Sequence, residues 1–205
     1  MKKAAFGILS LSVCETVYEP AEDSFLLANY ASALSGRILD IGTGTGIAAL
    51  SAASANPKNA VLGVDTNSAA VACAAANAKK NHISNCKFIV SDLFAAIPRG
   101  EKFEFILFNP PYLPTTDSER LKNAEENAAY DGGKTGLEVF MRFAASAPSY
   151  LAPGGKVAVI ATSLGGGIEK TARALEKHVG AARTVSQEPF FFEKIALLEA
   201  TARTL

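Results

Sequence analysis

The chain has 205 residues, 49% of them hydrophobic, and its 20 lysine and arginine residues balance its 20 aspartate and glutamate residues. This length and hydrophobic content fit a single domain with a sizeable core, which we expect to span residues 1–205. Zero net charge argues against binding a nucleic-acid backbone over a broad basic surface, and no apolar run approaches the roughly 18 residues of a membrane span.

The cysteines Cys14, Cys73 and Cys86 lie far apart in the sequence and form no CxxC pair. With only His82 and His178 as further ligands, they predict no zinc site and no other bound metal. The odd number of cysteines and their wide spacing also argue against a disulfide framework. We therefore expect free thiols and a cytoplasmic location.

Predicted strands and helices alternate along the chain. The N-terminal stretch 1–14 mimics a secretion signal but lacks its cleavage pattern, so we expect a first strand or helix of the mature protein there. Predicted strands follow at 37–42, 60–65, 87–92, 103–108 and 156–162, and two last strands, RTVSQE and FFEKIALLEA, are expected to pair antiparallel. Predicted helices occupy 46–57, 68–81, 137–152 and 167–180. This alternation predicts a doubly wound, mostly parallel α/β sheet with an antiparallel C-terminal hairpin.

The glycine-rich loop DIGTGTG, residues 40–46, follows the first strand of this alternation. Glycines such as Gly42 and Gly44 let the backbone approach a ligand at the N-terminus of the next helix. The third glycine comes one residue earlier than in the dinucleotide pattern GxGxxG, and Asp40 would repel a pyrophosphate. A carboxylate at the mouth of the loop suits a cationic ligand, such as an amino-acid ammonium. The alternative is a tight strand–helix turn without a ligand.

The next two predicted strands also end in an aspartate. Asp65 is placed to accept hydrogen bonds from both hydroxyls of a ribose, although it or Asn67 would also serve as a helix cap. Asp92 is placed to accept from an adenine amine, with Leu93 and Phe94 flanking the ring. A simple loop cap explains Asp92 equally well.

The predicted strand 103–108 ends in the sequence FNPPYLP. Two consecutive prolines, Pro110 and Pro111, have no N–H and a fixed φ, so they end the strand in a stiff loop. Asn109 precedes a proline and is held extended. The loop is either a rigid strand terminator or a preset cluster of hydrogen-bond acceptors beside the ring of Tyr112.

Acids at three strand ends, followed by NPPY at a fourth, resemble class I S-adenosylmethionine-dependent methyltransferases that act on a nitrogen beside a planar π system. The stretches VYEPAEDSFLL (17–27) and GGKTGLEV (132–139) are similar to HemK-type release-factor glutamine methyltransferases, in their compact eukaryotic and archaeal branch. The resemblance runs from Val17 to the last strand and implies a seven-stranded Rossmann-like methyltransferase sheet. One departure is Thr135, where the family usually carries an acid.

The resemblance implies a reaction and its residues. A methyl group passes from S-adenosylmethionine to the side-chain amide of a glutamine in the Gly-Gly-Gln loop of a translation release factor. The implied cofactor-binding residues are Ser24, Asp40, Gly42, Gly44, Asp65, Asp92 and Leu93. The implied catalytic and substrate-binding residues are Asn109, Pro110, Pro111 and Tyr112. The Asn109 side-chain oxygen and the Pro110 carbonyl accept the two N–H bonds of the amide, and Tyr112 packs on its plane. No histidine or carboxylate base is assigned.

Other substrates and a partner stay open at this point. The same loop suits an exocyclic amine of adenine or guanine in a nucleic acid, or a protein lysine, and a non-catalytic subunit with a relic crevice is a further alternative. The resemblance also implies a small zinc-binding activator protein on the edge of the third strand. Residues 86–91 form a short, apolar predicted strand at the edge of the sheet. An exposed edge of this kind can pair with a strand of another protein, which is called β-augmentation. The alternative is that helix 68–81 or the N-terminal segment covers this edge.

Overall fold

The computed structural model describes residues 2–111, 136–164, 167–190 and 193–203. Its elements in chain order are β1 (Lys2–Phe6), β2 (Leu9–Val13), α1 (Glu22–Ala31), β3 (Arg37–Ile41), α2 (Ile47–Ala55), β4 (Ala60–Asp65), α3 (Ser68–Lys80), β5 (Cys86–Val90), β6 (Phe103–Phe108), α4 (Glu138–Ser146), a 3₁₀ turn (Ala147–Tyr150), β7 (Leu151–Thr162), α5 (Ile168–His178), β8 (Ala182–Phe190) and β9 (Glu193–Thr201). Within these ranges, no helix is both long and apolar enough to cross a membrane.

Seven strands form one sheet in the order β5-β4-β3-β6-β7-β9-β8. Strands β5, β4, β3, β6 and β7 run parallel, and β9 runs antiparallel to both β7 and β8. The predicted doubly wound sheet with an antiparallel C-terminal hairpin is confirmed. The strand order reverses between β3 and β6, and ligands bind at such a switch point in open α/β sheets.

Both faces of the sheet are covered by helices, which explains why the strands are apolar on both sides. Helices α4 and α5 cover one face, where Phe143 and Leu175 are fully buried. Helices α1 and α2 cover the other face, where Leu27 packs with Leu107 and Ile160. Every second side chain of β6, β7 and β9 therefore points to α1. This alternation also determines which side chains lie on the same side of the sheet just beyond the strand ends.

The predicted helix 137–152 is wrong over its last part. Helix α4 ends at Ser146, a 3₁₀ turn follows, and β7 already begins at Leu151. Pro148 lies at the start of that turn and cannot donate the backbone bond that would continue the α-helix. Gly154, with a left-handed φ of 71°, and Gly155 lie inside β7.

The N-terminal segment forms a separate antiparallel pair, β1 with β2. Asparagine side chains of α3 complete the open edge of β2: Asn77 bonds both the N–H and the C=O of Ser12, at 2.8 and 3.0 Å. Asn81, one helical turn on, does the same for Ser10, at 2.9 and 3.0 Å. The spacing matches because four helical residues advance about 6 Å and two strand residues about 6.6 Å.

The expectation of free thiols is wrong for two of the three cysteines. Cys14, after β2, and Cys73, on α3, form a disulfide with their Cα atoms 6.0 Å apart. The two residues are separated by 59 positions and meet because β2 packs on α3, which their spacing does not reveal. Cys86 is a free thiol. The cytoplasmic location stays a prediction.

Strand β5 lies at one end of the sheet, as expected for the third strand of the alternation. Its residues are partly or fully exposed, and Val90 is 50% exposed. No strand pairs with the outer edge of β5 in the described part of the chain, although α3 and the N-terminal strands pack on the side chains of Cys86 and Phe88. The outer backbone groups of β5 thus have no strand partner among the described residues.

Candidate active site

The carboxyl ends of β5, β4, β3 and β6 lie side by side, so the sheet brings the predicted site residues to one crevice. The glycine-rich loop and the NPPY loop adjoin directly. A Cβ atom on Gly42 would lie 3.6 Å from the Phe108 ring and 3.9 Å from the Asn109 carbonyl oxygen. Tyr112, Thr135 and the first half of the predicted GGKTGLEV loop, residues 132–135, lie outside the described residues.

The glycine-rich loop takes a left-handed turn at Gly42, Gly44 and Gly46, with φ values of 67°, 55° and 85°. Other residues are strained in this conformation. A Cβ on Gly46 would press on Ala74 at 3.0 Å, so this glycine serves helix packing. A Cβ on Gly44 would meet nothing within 4 Å. Gly44 therefore leaves open space against bare backbone, as a bound cofactor requires.

Asp40 lies beneath this loop and not at its mouth, which corrects the placement predicted from the sequence. The residue is 2% exposed, and its Oδ2 accepts from the Thr43 hydroxyl at 2.7 Å and the Ala49 N–H at 3.3 Å. Burial raises the pKa of Asp40 to about 7, with a smaller contribution from the negative charge of Asp65. Asp40 thus supports the loop and the first turn of α2, and a ligand contact stays a prediction.

Asp65 ties the ends of β3 and β4 together. Its Oδ2 accepts from the Gly44 N–H at 3.0 Å and its Oδ1 from the Asn67 N–H at 2.9 Å. Asn67 is the helix cap, because its side chain accepts from the Ala69 N–H at 2.8 Å. Burial raises the pKa of Asp65. The carboxylate is only partly buried and retains lone pairs for further donors.

The residues after β5 differ from the prediction. Asp92 is exposed and forms a salt bridge with Arg142 of α4, at 2.6 Å. Phe94 is 5% exposed and stacks on Tyr150 in the core, so it does not line an open ring site. Leu93 is also largely buried and has a φ of 48°, which is unusual for a residue with a side chain. An exposed ion pair is weak, so Asp92 is free to accept from a ligand at small cost.

Asn109 carries the clearest chemical signal in the crevice. Its Nδ2 donates to Asp23 Oδ2 at 2.9 Å, and this bond fixes the orientation of the side-chain amide. Its Oδ1 is buried and has no hydrogen-bond partner among the residues that the structure describes. A buried acceptor without a donor costs about 1–3 kcal/mol, so the site is complementary to a ligand that brings an N–H. Pro110 and Pro111 follow in the expected position.

Asp23 organises the residues around Asn109, and the sequence prediction assigned it no role. It is 2% exposed and accepts from the Tyr18 hydroxyl at 3.2 Å and from the Ser24 backbone N–H at 2.6 Å. The Ser24 hydroxyl also points to Asp23, at 3.2 Å, so this predicted cofactor residue is engaged within the protein. The available signal was an acid in the first turn of α1, where the helix dipole favours it.

Glu193, at the start of β9, was also missed. The Thr162 side chain at the end of β7 lies near its carboxylate, although the Thr162 hydroxyl donates to the Leu164 carbonyl at 3.3 Å. Burial raises the pKa of Glu193, and the negative charge of Asp23 raises it further. The Oε2 atom is buried, and no described residue forms a hydrogen bond with it. In the described ranges, no group of three or more His, Cys, Asp or Glu side chains is placed to hold a metal ion.

Comparison with known proteins places the chain in a family. Residues 21–126 match the family described as methyltransferase small domain. The chain belongs to this family. It is 43% identical, over 77% of its own length and 78% of the relative's, to the "Putative protein N5-glutamine methyltransferase MJ0928" of Methanocaldococcus jannaschii. It is 37% identical over 65% of its length to a release factor glutamine methyltransferase of Geobacter sulfurreducens, of which it spans 46%.

Solved structures of methyltransferases share the fold. The Mtq2 protein of E. cuniculi, solved in a complex with Trm112 that methylates the termination factor eRF1, matches with a TM-score of 0.69 and 22% identity, over 92% of this chain and 99% of that one. A methyltransferase named SMU.776, solved with S-adenosylhomocysteine, matches with a TM-score of 0.63 and 15% identity, over 87% and 49%. The implied methyltransferase family and Rossmann-like fold are confirmed.

Proposed function

We propose that this methyltransferase transfers a methyl group from S-adenosylmethionine to the side-chain amide nitrogen of a glutamine in the Gly-Gly-Gln loop of a translation release factor. The observation that carries the proposal is the buried, partnerless Oδ1 of Asn109, held in place by Asp23. The names of the Methanocaldococcus and Geobacter relatives support the choice of glutamine. Translation termination is a cytoplasmic process, and we place the protein there.

The cofactor fits the open side of the glycine-rich loop. Gly44 leaves room against the backbone, Asp65 offers acceptors at the end of β4, and Asp92 offers another at the end of β5. S-adenosylmethionine supplies an electrophilic methyl group on a sulfonium. The remaining task falls to the protein's own residues, which bind the accepting nitrogen and set its direction.

An amide nitrogen is a weak nucleophile because its lone pair is delocalised into the carbonyl. Asn109 Oδ1 and the Pro110 carbonyl oxygen accept its two N–H bonds and fix its approach. The same oxygens are already in place to stabilise the positive charge that develops on the nitrogen until it releases one N–H proton to water, with S-adenosylhomocysteine as the other product. The proline pair keeps this loop stiff, so little reorganisation is needed.

A transfer assay with labelled S-adenosylmethionine tests the substrate. Release factor, tRNA and DNA are offered in parallel, with a release factor whose Gly-Gly-Gln glutamine is changed to alanine as the matched control. We expect label in the intact release factor alone. Label in tRNA or DNA, or equal label in the control release factor, would show that another acceptor is used.

Calorimetry tests the cofactor independently of turnover. We expect the protein to bind S-adenosylmethionine and not NAD, because the third glycine of the loop comes one residue too early for the dinucleotide pattern. Asp65→Ala should weaken this binding by about 1.5–3 kcal/mol, the scale for hydrogen bonds to a charged group. Binding of NAD without S-adenosylmethionine would refute the assignment.

We also propose that a small zinc-binding activator protein pairs with the free edge of β5. The Mtq2 relative was solved with a small partner, Trm112. The Ser91 N–H bonds the Asp65 carbonyl within the sheet, so alternate N–H groups of β5, those of Phe88 and Val90, point outward. These groups are free for β-augmentation.

A proline at an outward position tests this edge. Val90→Pro removes one outward N–H and leaves the inner ladder intact, while Val90→Ala is the matched control at an exposed site. We expect co-expression with the activator to raise the solubility and activity of the wild type and of Val90→Ala. In a pull-down, Val90→Pro should no longer recover the activator. A soluble, fully active chain that recovers no partner would exclude this interface.

A further inference from the structure

We propose that Glu193 is a further catalytic residue, whose partnerless carboxylate oxygen shares with the Pro110 carbonyl oxygen the N–H of the substrate NH₂ group that does not bond Asn109. The inference deepens the proposed function and rests on it in taking that group to be the glutamine amide. It is independent of Tyr112 and of the glycine-glycine loop, which lie outside the described residues.

Because side chains alternate between the two faces of β9, Glu193 lies on the face of the sheet that carries Asp23 and Asn109. Ile195 and Leu197 of β9 pack in the same cluster as Leu27 of α1, so every second residue of β9 from Glu193 onward faces α1. Leu107 of β6 belongs to that cluster too, and Asn109 follows it by two.

The register of the sheet places Glu193 at the crevice end of β9. Thr162, the last residue of β7, pairs with Ile195, and the Ser163 N–H bonds the Lys194 carbonyl at 2.9 Å. The Thr162 side chain lies near the Glu193 carboxylate. The Oε2 atom of that carboxylate has no hydrogen-bond partner among the described residues. Of the acidic groups on α1, Asp23 is near enough for its negative charge to act on Glu193.

Two buried acceptors without donors thus occur in one region, on Asn109 and on Glu193. Each is unfavourable while it is unpaired, and an NH₂ group brings one donor for Asn109 and a second that Glu193 and the Pro110 carbonyl can share. A carboxylate also stabilises positive charge on the accepting nitrogen better than a neutral carbonyl, because hydrogen bonds to ionised acceptors are about twice as strong. Glu193 would therefore contribute both to substrate binding and to turnover.

The test compares Glu193→Gln with Glu188→Gln. Glu188 lies on β8 of the same hairpin, opposite Ile195, and is exposed, so its change is a matched control. Release-factor affinity is measured by calorimetry with S-adenosylhomocysteine present, alongside kcat, KM and the thermal midpoint. We expect Glu193→Gln to weaken release-factor binding and to lower kcat/KM by about 10- to 100-fold, with S-adenosylhomocysteine affinity unchanged and the thermal midpoint not lowered. Glu188→Gln should match the wild type.

Wild-type affinity and turnover in both Glu193→Gln and Glu193→Ala would overturn the inference. So would a loss of turnover that only follows a loss of folded protein, because that indicates a structural role through Thr162. The proposed function fails differently, when the wild type does not methylate the release factor or when Asn109→Ala remains active. If the wild type methylates a nucleic-acid amine instead, the same two variants test Glu193 on that NH₂ group.

Discussion

Two glutamates on one face of β9 have opposite surroundings. Glu199 is 4% exposed and is bonded by the Tyr30 hydroxyl at 2.6 Å, Lys156 at 3.2 Å and Arg183 at 3.0 Å. Burial alone would raise the pKa of Glu199, but these three hydrogen bonds bring it below its usual value. Glu193 has Thr162 on one side, the like charge of Asp23 nearby, and a partnerless oxygen, and its pKa is raised.

The difference separates an acid that stabilises the fold from one that is left free for a ligand. Glu199 lies away from the crevice, where hydrogen bonds connect this residue of β9 to α1, β7 and β8. Each of its three partners donates a hydrogen bond to the carboxylate. Glu193 lies where the parallel strands end, in the region to which ligands bind in such sheets. Buried polar atoms without a partner are rare, so the partnerless oxygen of Glu193, in the region of Asn109, argues for a function.

Asp40 is a further buried acid for this comparison, and it has no cationic partner among the described residues. Replacing it should have the largest effect on the free energy of unfolding. Burial raises its folded-state pKa to about 7, above the ordinary value of 3.8. Its favourable contribution is present at low pH and is lost as pH rises towards 7 and above. Asp40→Asn should remove this loss and stabilise the unliganded protein at about pH 8 by up to about 4 kcal/mol, since each pKa unit corresponds to about 1.4 kcal/mol.

Urea unfolding of the wild type and Asp40→Asn between about pH 5 and pH 8 measures this difference. The wild-type free energy of unfolding should fall relative to that of the variant across this range. Parallel curves would mean that Asp40 is not held in a raised-pKa state.

Glu199 should have the next largest effect, with the opposite sign. Glu199→Gln removes a charge that three partners stabilise, so we expect a loss of about 1–3 kcal/mol near pH 7 with turnover per folded molecule unchanged. Because the pKa of Glu199 is lowered, its contribution is lost as pH falls through the folded-state value, and the variant should approach the wild type in acid. A variant that folds normally but loses turnover would break the distinction between the two glutamates.

Asp23 joins the two roles, because it is buried and yet acts on the site through Asn109. Asp23→Asn presents an amide where a carboxylate accepts from Asn109 Nδ2, so the Asn109 side chain loses its fixed orientation. We expect kcat to fall by about 10- to 100-fold, with S-adenosylmethionine affinity within a few-fold of the wild type. Equal losses in cofactor affinity and kcat would indicate that Asp23 supports the whole crevice instead.

The sequence predicted those parts of the molecule that depend on local pattern. The strand–helix alternation, the loop at Gly42 and Gly44 and the proline-ended strand at Asn109 each arise from neighbouring residues, and the structure places them together. The disulfide of Cys14, the buried position of Asp40 and the partners of Glu193 depend on strand register and helix packing. These contacts join residues far apart in the chain, so spacing alone does not reveal them.

The most direct test of the account compares binding with chemistry in Asn109→Ala. The change removes the partnerless Oδ1 without touching the glycine-rich loop or Asp65. Calorimetry should give an S-adenosylmethionine affinity within a few-fold of the wild type, while turnover on release factor falls by at least about a hundredfold, because positioning and charge stabilisation are lost together. Near wild-type turnover in this variant would contradict the role of Asn109 and the mechanism built on it.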